Sequence, residues 1–187
     1  RGLKIMSVLD VVHYGDPILR KKCLPVENFI NLSKFVDDMF DTMYEEEGIG
    51  LAANQVGVNM HLFIIDIAHT DENEFPRVFI NGEIISNEGE SVFSEGCLSI
   101  PQVSLDVIRP ETITLKFQDL EKKWHQEKFN GLLARAIQHE IDHLNGVLMI
   151  DLVSDIQRSE VQSEVNKIKN ESVAKIKRIS SDKNFVL

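Results

Sequence analysis

The sequence predicts an α+β chain: antiparallel β-sheets packed around one central helix, with an N-terminal helix and a long C-terminal helix. Three observations carry this. Between residues 61 and 129, short β-like segments are separated by polar turns and never alternate with helical stretches, so parallel βαβ units are excluded. Residues 131–146 combine strong helix formers with Leu132, Leu133, Ala136, Ile137, Ile141 and Leu144 near helical spacing, and Gly146 stops the run. A second periodic stretch runs from residue 155 to about 179.

Taken in order, Gly15-Asp16-Pro17 forms a turn ahead of Ile18-Leu19-Arg20, and Pro25 marks another break. Residues 33–47 read as a helix, with Ser33 as N-cap and Phe35, Val36, Met39, Phe40 and Met43 on one face. It ends at Gly48, and the small residues from Gly48 to Gln55 read as a tight loop that lets something approach the backbone. Strands are expected over 61–67, 77–86 and 90–94, then over 103–108, 112–119 and 123–129, with the bend Glu95-Gly96-Cys97-Leu98-Ser99-Ile100-Pro101 between the two sets. The last helix carries a loose apolar stripe of Val161, Val165, Ile168, Ile176 and Ile179. Residues 1–152 make one catalytic-sized domain, and 153–187 a helical extension.

Composition narrows the function classes. The apolar and charged fractions, 43% and 27%, are those of an ordinary soluble protein. No apolar run approaches a membrane span, and Lys4 and Asp10 argue against a signal-peptide core. Cys23 and Cys97 are too few for a disulfide framework and fit a reducing compartment. A net charge of −10 excludes a general nucleic-acid binder and specific DNA recognition, yet residues 152–187 carry +2 and the rest −12. The chain begins at Arg1, so Arg1–Ile5 read as a processing remnant and Met6-Ser7 as a native start.

The chemistry concentrates in Gln138-His139-Glu140-Ile141-Asp142-His143. Residues four apart share a helix face, so His139 and His143 can hold one metal ion, while Glu140 is placed to reach water beside it. A catalytic site wants a third protein ligand and one open position. Downstream options are poor: Met149 stands where a metzincin-type third His would fall, and Glu160 and Glu164 lie in the last helix. Cys97, in its glycine-flanked bend, offers a soft thiolate. Two other readings stay open: a metalloprotease with another ligand set, and a structural zinc site closed by Cys23, Cys97, His139 and His143.

Three blocks, Gly48-x-Gly50-x-Ala52-Ala53-x-Gln55, Glu95-Gly96-Cys97-Leu98-Ser99 and Gln138-His139-Glu140-x-Asp142-His143, resemble in order and separation the motifs of the peptide deformylases. Tyr14-Gly15-Asp16-Pro17-Ile18-Leu19-Arg20 is similar to that family's N-terminal segment, so the resemblance covers about residues 11–151. It implies hydrolysis of the formyl group from the N-terminal formyl-methionine of newly made proteins, with release of formate. It implies the metal helix among antiparallel strands, and one divalent ion per chain: Fe²⁺ natively, replaceable by Zn²⁺, Ni²⁺ or Co²⁺. By resemblance Cys97, His139 and His143 are metal ligands and Glu140 the general acid/base, with the Gln55 amide and the Leu98 backbone N–H stabilising the oxyanion. Ile49, Phe93, Leu132, Arg135 and Ala136 would line the methionine pocket, Arg135 lending its stem and keeping its charge outside. Backbone at Gly50 and Gly96 would pair with an extended peptide, and Arg109 would pair with Glu95. Asn54 stands where the family usually has Pro, a loop change expected to leave the chemistry alone; Gln102-Val103-Ser104 lacks the glycine-rich or basic character of many relatives. Some relatives dock on the ribosome through a C-terminal helix, and the basic end from Lys167 onward would allow such contact here. The expected location is the cytoplasm, or an organelle stroma or matrix if Arg1–Ile5 is a processing remnant.

Overall fold

The computed structural model describes residues 8–183; the expected remnant and start, Arg1–Ser7, lie outside the described residues. Pro17–Arg20 forms a short 3-10 turn capped by the Asp16 carboxylate, which accepts from the Ile18 N–H at 2.9 Å. Helix α1 spans Leu32–Glu45. Strands β1 (Gly50–Ala52), β2 (Leu62–Ile65), β3 (Arg77–Glu88), β6 (Thr112–Gln118) and β7 (Trp124–Asn130) form one antiparallel sheet in the order β1-β2-β3-β6-β7. Strands β4 (Ser91–Cys97) and β5 (Ile100–Arg109) form a second, two-stranded sheet. Helix α2 is Gly131–Leu144; α3 (Asp155–Glu160) and α4 (Gln162–Lys183) close the chain.

Strand β2 explains the layering. All four of its residues are buried, because helices cover both faces of the sheet there. Phe63 and Ile65 point into a core with Phe79, Ile113 and Leu115, which α2 closes with Leu133, Ile137, Ile141 and Leu144. Leu62 and Ile64 point the other way, towards Val36, Met39 and Met43 of α1. Alternate residues of one strand thus anchor the two helices on opposite faces, as the period of two requires. A third core joins Val103, Leu105 and Val107 of β5 to Leu148, Met149, Ile150 and, from α4, Val165 and Ile168.

Several boundaries differ from expectation. Helix α1 is capped by Asn31, not Ser33; Asn31 sits in the left-handed region at φ 61, which Asn tolerates, and burial of Leu32 starts the helix earlier. The expected loop at Gly50 contains β1, paired with β2 through Gly50↔Ile65 and Ala52↔Phe63. Three residues are too few to show a period, so only the pairing reveals it. The long C-terminal helix breaks at Val161, and Ser154 caps α3 by accepting from the Gln157 N–H. Of the expected stripe, Val165 and Ile168 are buried, while Ile179 is exposed.

Candidate active site and metal centre

Helix α2 brings His139 and His143 onto one face, and β4 carries Cys97, its last residue, to them, so the expected bend from Glu95 is strand as far as Cys97. Cys97 Sγ lies 3.2 Å from His143 Nε2, which lies 3.2 Å from His139 Nε2. The three donor atoms fall within 4.8 Å of one another, a sulfur and two imidazole nitrogens that suit a late first-row divalent ion. Cys23 is elsewhere, buried in the apolar core between α2 and the sheet, where burial pushes its thiol up to about 11. The structural-zinc alternative therefore loses its fourth ligand.

The surroundings orient these donors. The Glu95 carboxylate is 3.0 Å from His139 Nδ1, a contact that leaves Nε2 free to face the cluster. Glu95 also accepts from Arg109 Nε at 2.6 Å and Nη2 at 3.0 Å, and from Arg135 Nη1 at 2.9 Å. Burial would raise this carboxyl, but hydrogen bonds from His139 and Arg109, with the Arg109 charge, outweigh it and hold it at about 2. Arg109 further reaches Asp142 Oδ2 at 2.5 Å, tying β5 to α2. Although burial works against it, hydrogen bonds with Cys97 and Glu95 draw the His139 imidazole well above its ordinary pKa, whereas burial and the neighbouring His139 charge hold His143 well below it. The chemistry of the donor set, one sulfur and two imidazole nitrogens, fits a bound cation.

Glu140 is buried, with Oε2 free of any partner among the described residues, and burial pushes its carboxyl up to about 7. Gly50 makes room for it: a Cβ there would lie 2.5 Å from Glu140 Oε1. Gln55 is held by the Ala52 N–H, which donates to its Oε1 at 2.8 Å. That anchor turns Nε2 towards Ser99 Oγ at 3.2 Å and Cys97 Sγ at 3.7 Å, so a side-chain N–H faces the cluster. Leu98 lies in the turn joining β4 to β5 and packs against Gly48.

A cleft of about 780 Å³ opens over this cluster and is lined by Gln55, Cys97, Leu98, His139 and Glu140. The residues expected for the substrate pocket, Ile49, Gly50, Phe93, Glu95, Gly96, Leu132, Arg135 and Ala136, all line it too. One detail differs from expectation: the Arg135 charge is not outside. Its guanidinium is buried, donating to Glu95, to Val107 O at 3.0 Å and to Ser91 O at 2.8 Å, with its carbon 5.2 Å from the centre of the Phe93 ring. A buried carboxylate on β4 offsets the cost of burying this charge on α2, and no local pattern signals such a partner. Ser99 was legible only as part of a motif, and its role as acceptor for Gln55 appears in the fold alone. Asn54 also departs from expectation. It is fully buried, and its Nδ2 donates to the backbone oxygen of the metal-ligand candidate His143 at 2.6 Å.

Fold and site together define an α+β protein in which the central helix and β4 bring together a Cys/His/His group suited to a metal ion. A model of the family described as polypeptide deformylase matches residues 8–159. The chain belongs to that family. It is 43% identical over 172 residues to the peptide deformylase of Brucella suis, covering 91% of this chain and 98% of that protein. Among solved structures, the peptide deformylase of Legionella pneumophila superposes with a TM-score of 0.80 at 41% identity, over 89% of this chain and 98% of that one. That of Plasmodium falciparum gives 0.83 at 35% identity, over 88% and 98%.

Proposed function

We propose that this chain removes the formyl group from N-terminal formyl-methionine of nascent proteins with Cys97, His139 and His143 as metal ligands and Glu140 as general acid/base. The observation that carries the assignment is the convergence of Cys97, His139 and His143 beside a buried Glu140, whose Oε2 has no partner among the described residues, in the cleft. Cys97, His139 and His143 would hold a divalent ion, which when bound would supply Lewis acidity towards the formyl carbonyl and the attacking water. Glu140 accepts the proton of the attacking water and passes it to the leaving amine; a carboxyl near neutrality suits both transfers. The Gln55 Nε2–H and the Leu98 backbone N–H donate to the oxyanion, and because Gln55 is pre-anchored by Ala52 it needs no reorganisation. The methionine side chain enters between Ile49, Phe93, Leu132 and Ala136, with the Arg135 guanidinium closing the wall against Phe93. The peptide backbone pairs with Gly50 and Gly96 as an added strand.

Fe²⁺ is the native ion in this reading, with Ni²⁺, Co²⁺ or Zn²⁺ as substitutes; a soft thiolate with two imidazoles accepts all four. The test is metal content and formate release from formyl-Met peptide by anaerobically purified protein. Iron-dependent activity should decay in air and persist after exchange to Ni²⁺, since a redox-active ion beside a thiolate exposes both to oxidation. Air-stable activity with stoichiometric zinc would contradict the iron assignment.

Residues 1–152 carry catalysis in this reading, and 153–187 form the extension that contacts the ribosome. The compartment follows from the substrate: the cytoplasm, or the stroma or matrix of an organelle that starts proteins with formyl-methionine. No helix among the described residues is long and apolar enough to cross a membrane. The extension is two-part: Val165 and Ile168 pack on β5 and Ser172 Oγ donates to His13 O at 3.1 Å, whereas Lys175, Lys177 and Arg178 are exposed. Such a basic end suits rRNA phosphates, with contact that weakens steeply with salt. Truncation after Val173 keeps the packed half, so turnover of free formyl-Met peptide should be unchanged while salt-sensitive co-sedimentation with ribosomes is lost. Undiminished co-sedimentation would remove the docking role.

A further inference from the structure

The two histidines of the cluster are supported unequally. The Nδ1 of His139 meets the Glu95 carboxylate at 3.0 Å, whereas His143 Nδ1 is buried with no partner among the described residues. A ligating histidine is ordinarily held from behind through its second ring nitrogen, and such outer support sets how firmly the ion is kept. Among the described residues, and apart from the other two ligand candidates, the side chain that bonds to His143 is Asn54. Its Nδ2 donates to the His143 carbonyl at 2.6 Å, an oxygen that also accepts from the Gly146 N–H at 3.1 Å. Two acceptor positions on one carbonyl allow both bonds.

Asn54 occupies a particular place in the chain. It lies on the 3-10 turn Ala53–Val56, directly before Gln55, whose amide reaches Ser99 and Cys97. One turn therefore touches the backbone of His143 through one residue and the sulfur of Cys97 through the next. Asn54 has no exposed surface, and its Oδ1 has no partner among the described residues, so the buried amide makes a single strong bond there. An apolar side chain of the same volume would avoid that cost.

We propose that Asn54 is a positioning residue for His143: it clamps the last turn of α2 to the turn carrying Gln55 and thereby lengthens the residence of the metal ion. The proposal rests on the ligand assignment above. The first test loads the full chain with Ni²⁺ and follows release to excess chelator, with the visible bands of the Co²⁺ form and the melting temperature of the metal-free form measured alongside. Asn54→Leu and Asn54→Ala should speed Ni²⁺ release by roughly 10–100-fold and shift the Co²⁺ bands, and Asn54→Ser, which keeps a short donor, should recover part of the loss. Unchanged release and bands overturn the proposal, and so does a lowered metal-free melting temperature with both unaltered, which marks a merely structural amide. A second measurement needs no variant. By reciprocity, an amide that steadies the ion is steadied by it, so the Asn54 Nδ2 protons should exchange with solvent more slowly after Zn²⁺ loading. Equal exchange in the two forms overturns the proposal. Cys97→Ser separates the two levels: if it holds Ni²⁺ as the parent chain does, the ligand assignment itself fails, whatever Asn54 does.

Discussion

Glu140→Ala should leave the metal in place and lower kcat by at least the roughly 10²–10⁴ typical of a positioned acid/base. The structure explains why the two properties separate. Glu140 contributes no donor to the Cys97/His139/His143 cluster, and its own carboxylate lies against Gly50 with Oε2 unpartnered. Among the described residues the neighbouring carboxylates are engaged elsewhere: Glu95 with Arg109, Arg135 and His139, held at about 2, and Asp142 with Arg109. Burial of a carboxylate without a partner is costly, so Glu140→Gln should keep or raise the melting temperature while losing turnover equally. Formate release at steady state, with metal content measured on the same samples, checks both. A variant with near-full turnover would remove Glu140 from the mechanism.

The second large effect separates the two cysteines. Cys97→Ser replaces a soft thiolate by a weakly acidic hydroxyl, and the ion should be lost or held far more weakly. The fall in activity should exceed the roughly 10–100-fold that loss of an outer supporting group costs. Cys23→Ser should leave metal content untouched and act on stability instead. Cys23 is buried among Phe63, Leu133 and Ile137, so a hydroxyl there loses about 1–3 kcal/mol if it finds no partner. Elemental analysis and thermal melts of the two variants provide the comparison. Equal metal loss from both would restore the structural-zinc reading.

The contrast between these cysteines marks what was legible. The identity of the histidine pair follows from a local rule, since residues four apart share a helix face wherever the helix sits. The strands from β2 to β7 were visible in alternating or continuously apolar runs, and their antiparallel pairing followed from the missing crossover helices. Cys97 was a candidate by chemistry and motif, but only the fold brings its sulfur within 3.2 Å of His143 Nε2. Strand β1 was hidden because Gly50, Leu51 and Ala52 are too few to show a period and are buried on both sides.

The sequence by itself determined the main helical stretches, the antiparallel class and the pairing of His139 with His143 on one face, because these depend on spacing within a few residues. Tertiary structure alone decided the charges and the supports. Arg135 was expected to keep its charge in water, and it is instead buried because Glu95, forty residues away, meets it there. Asn54 looked like a tolerated loop residue, and it bonds to the backbone of His143, eighty-nine positions on. A buried polar group is stable only where distant segments supply its partner, and the cost of lacking one far exceeds any local preference.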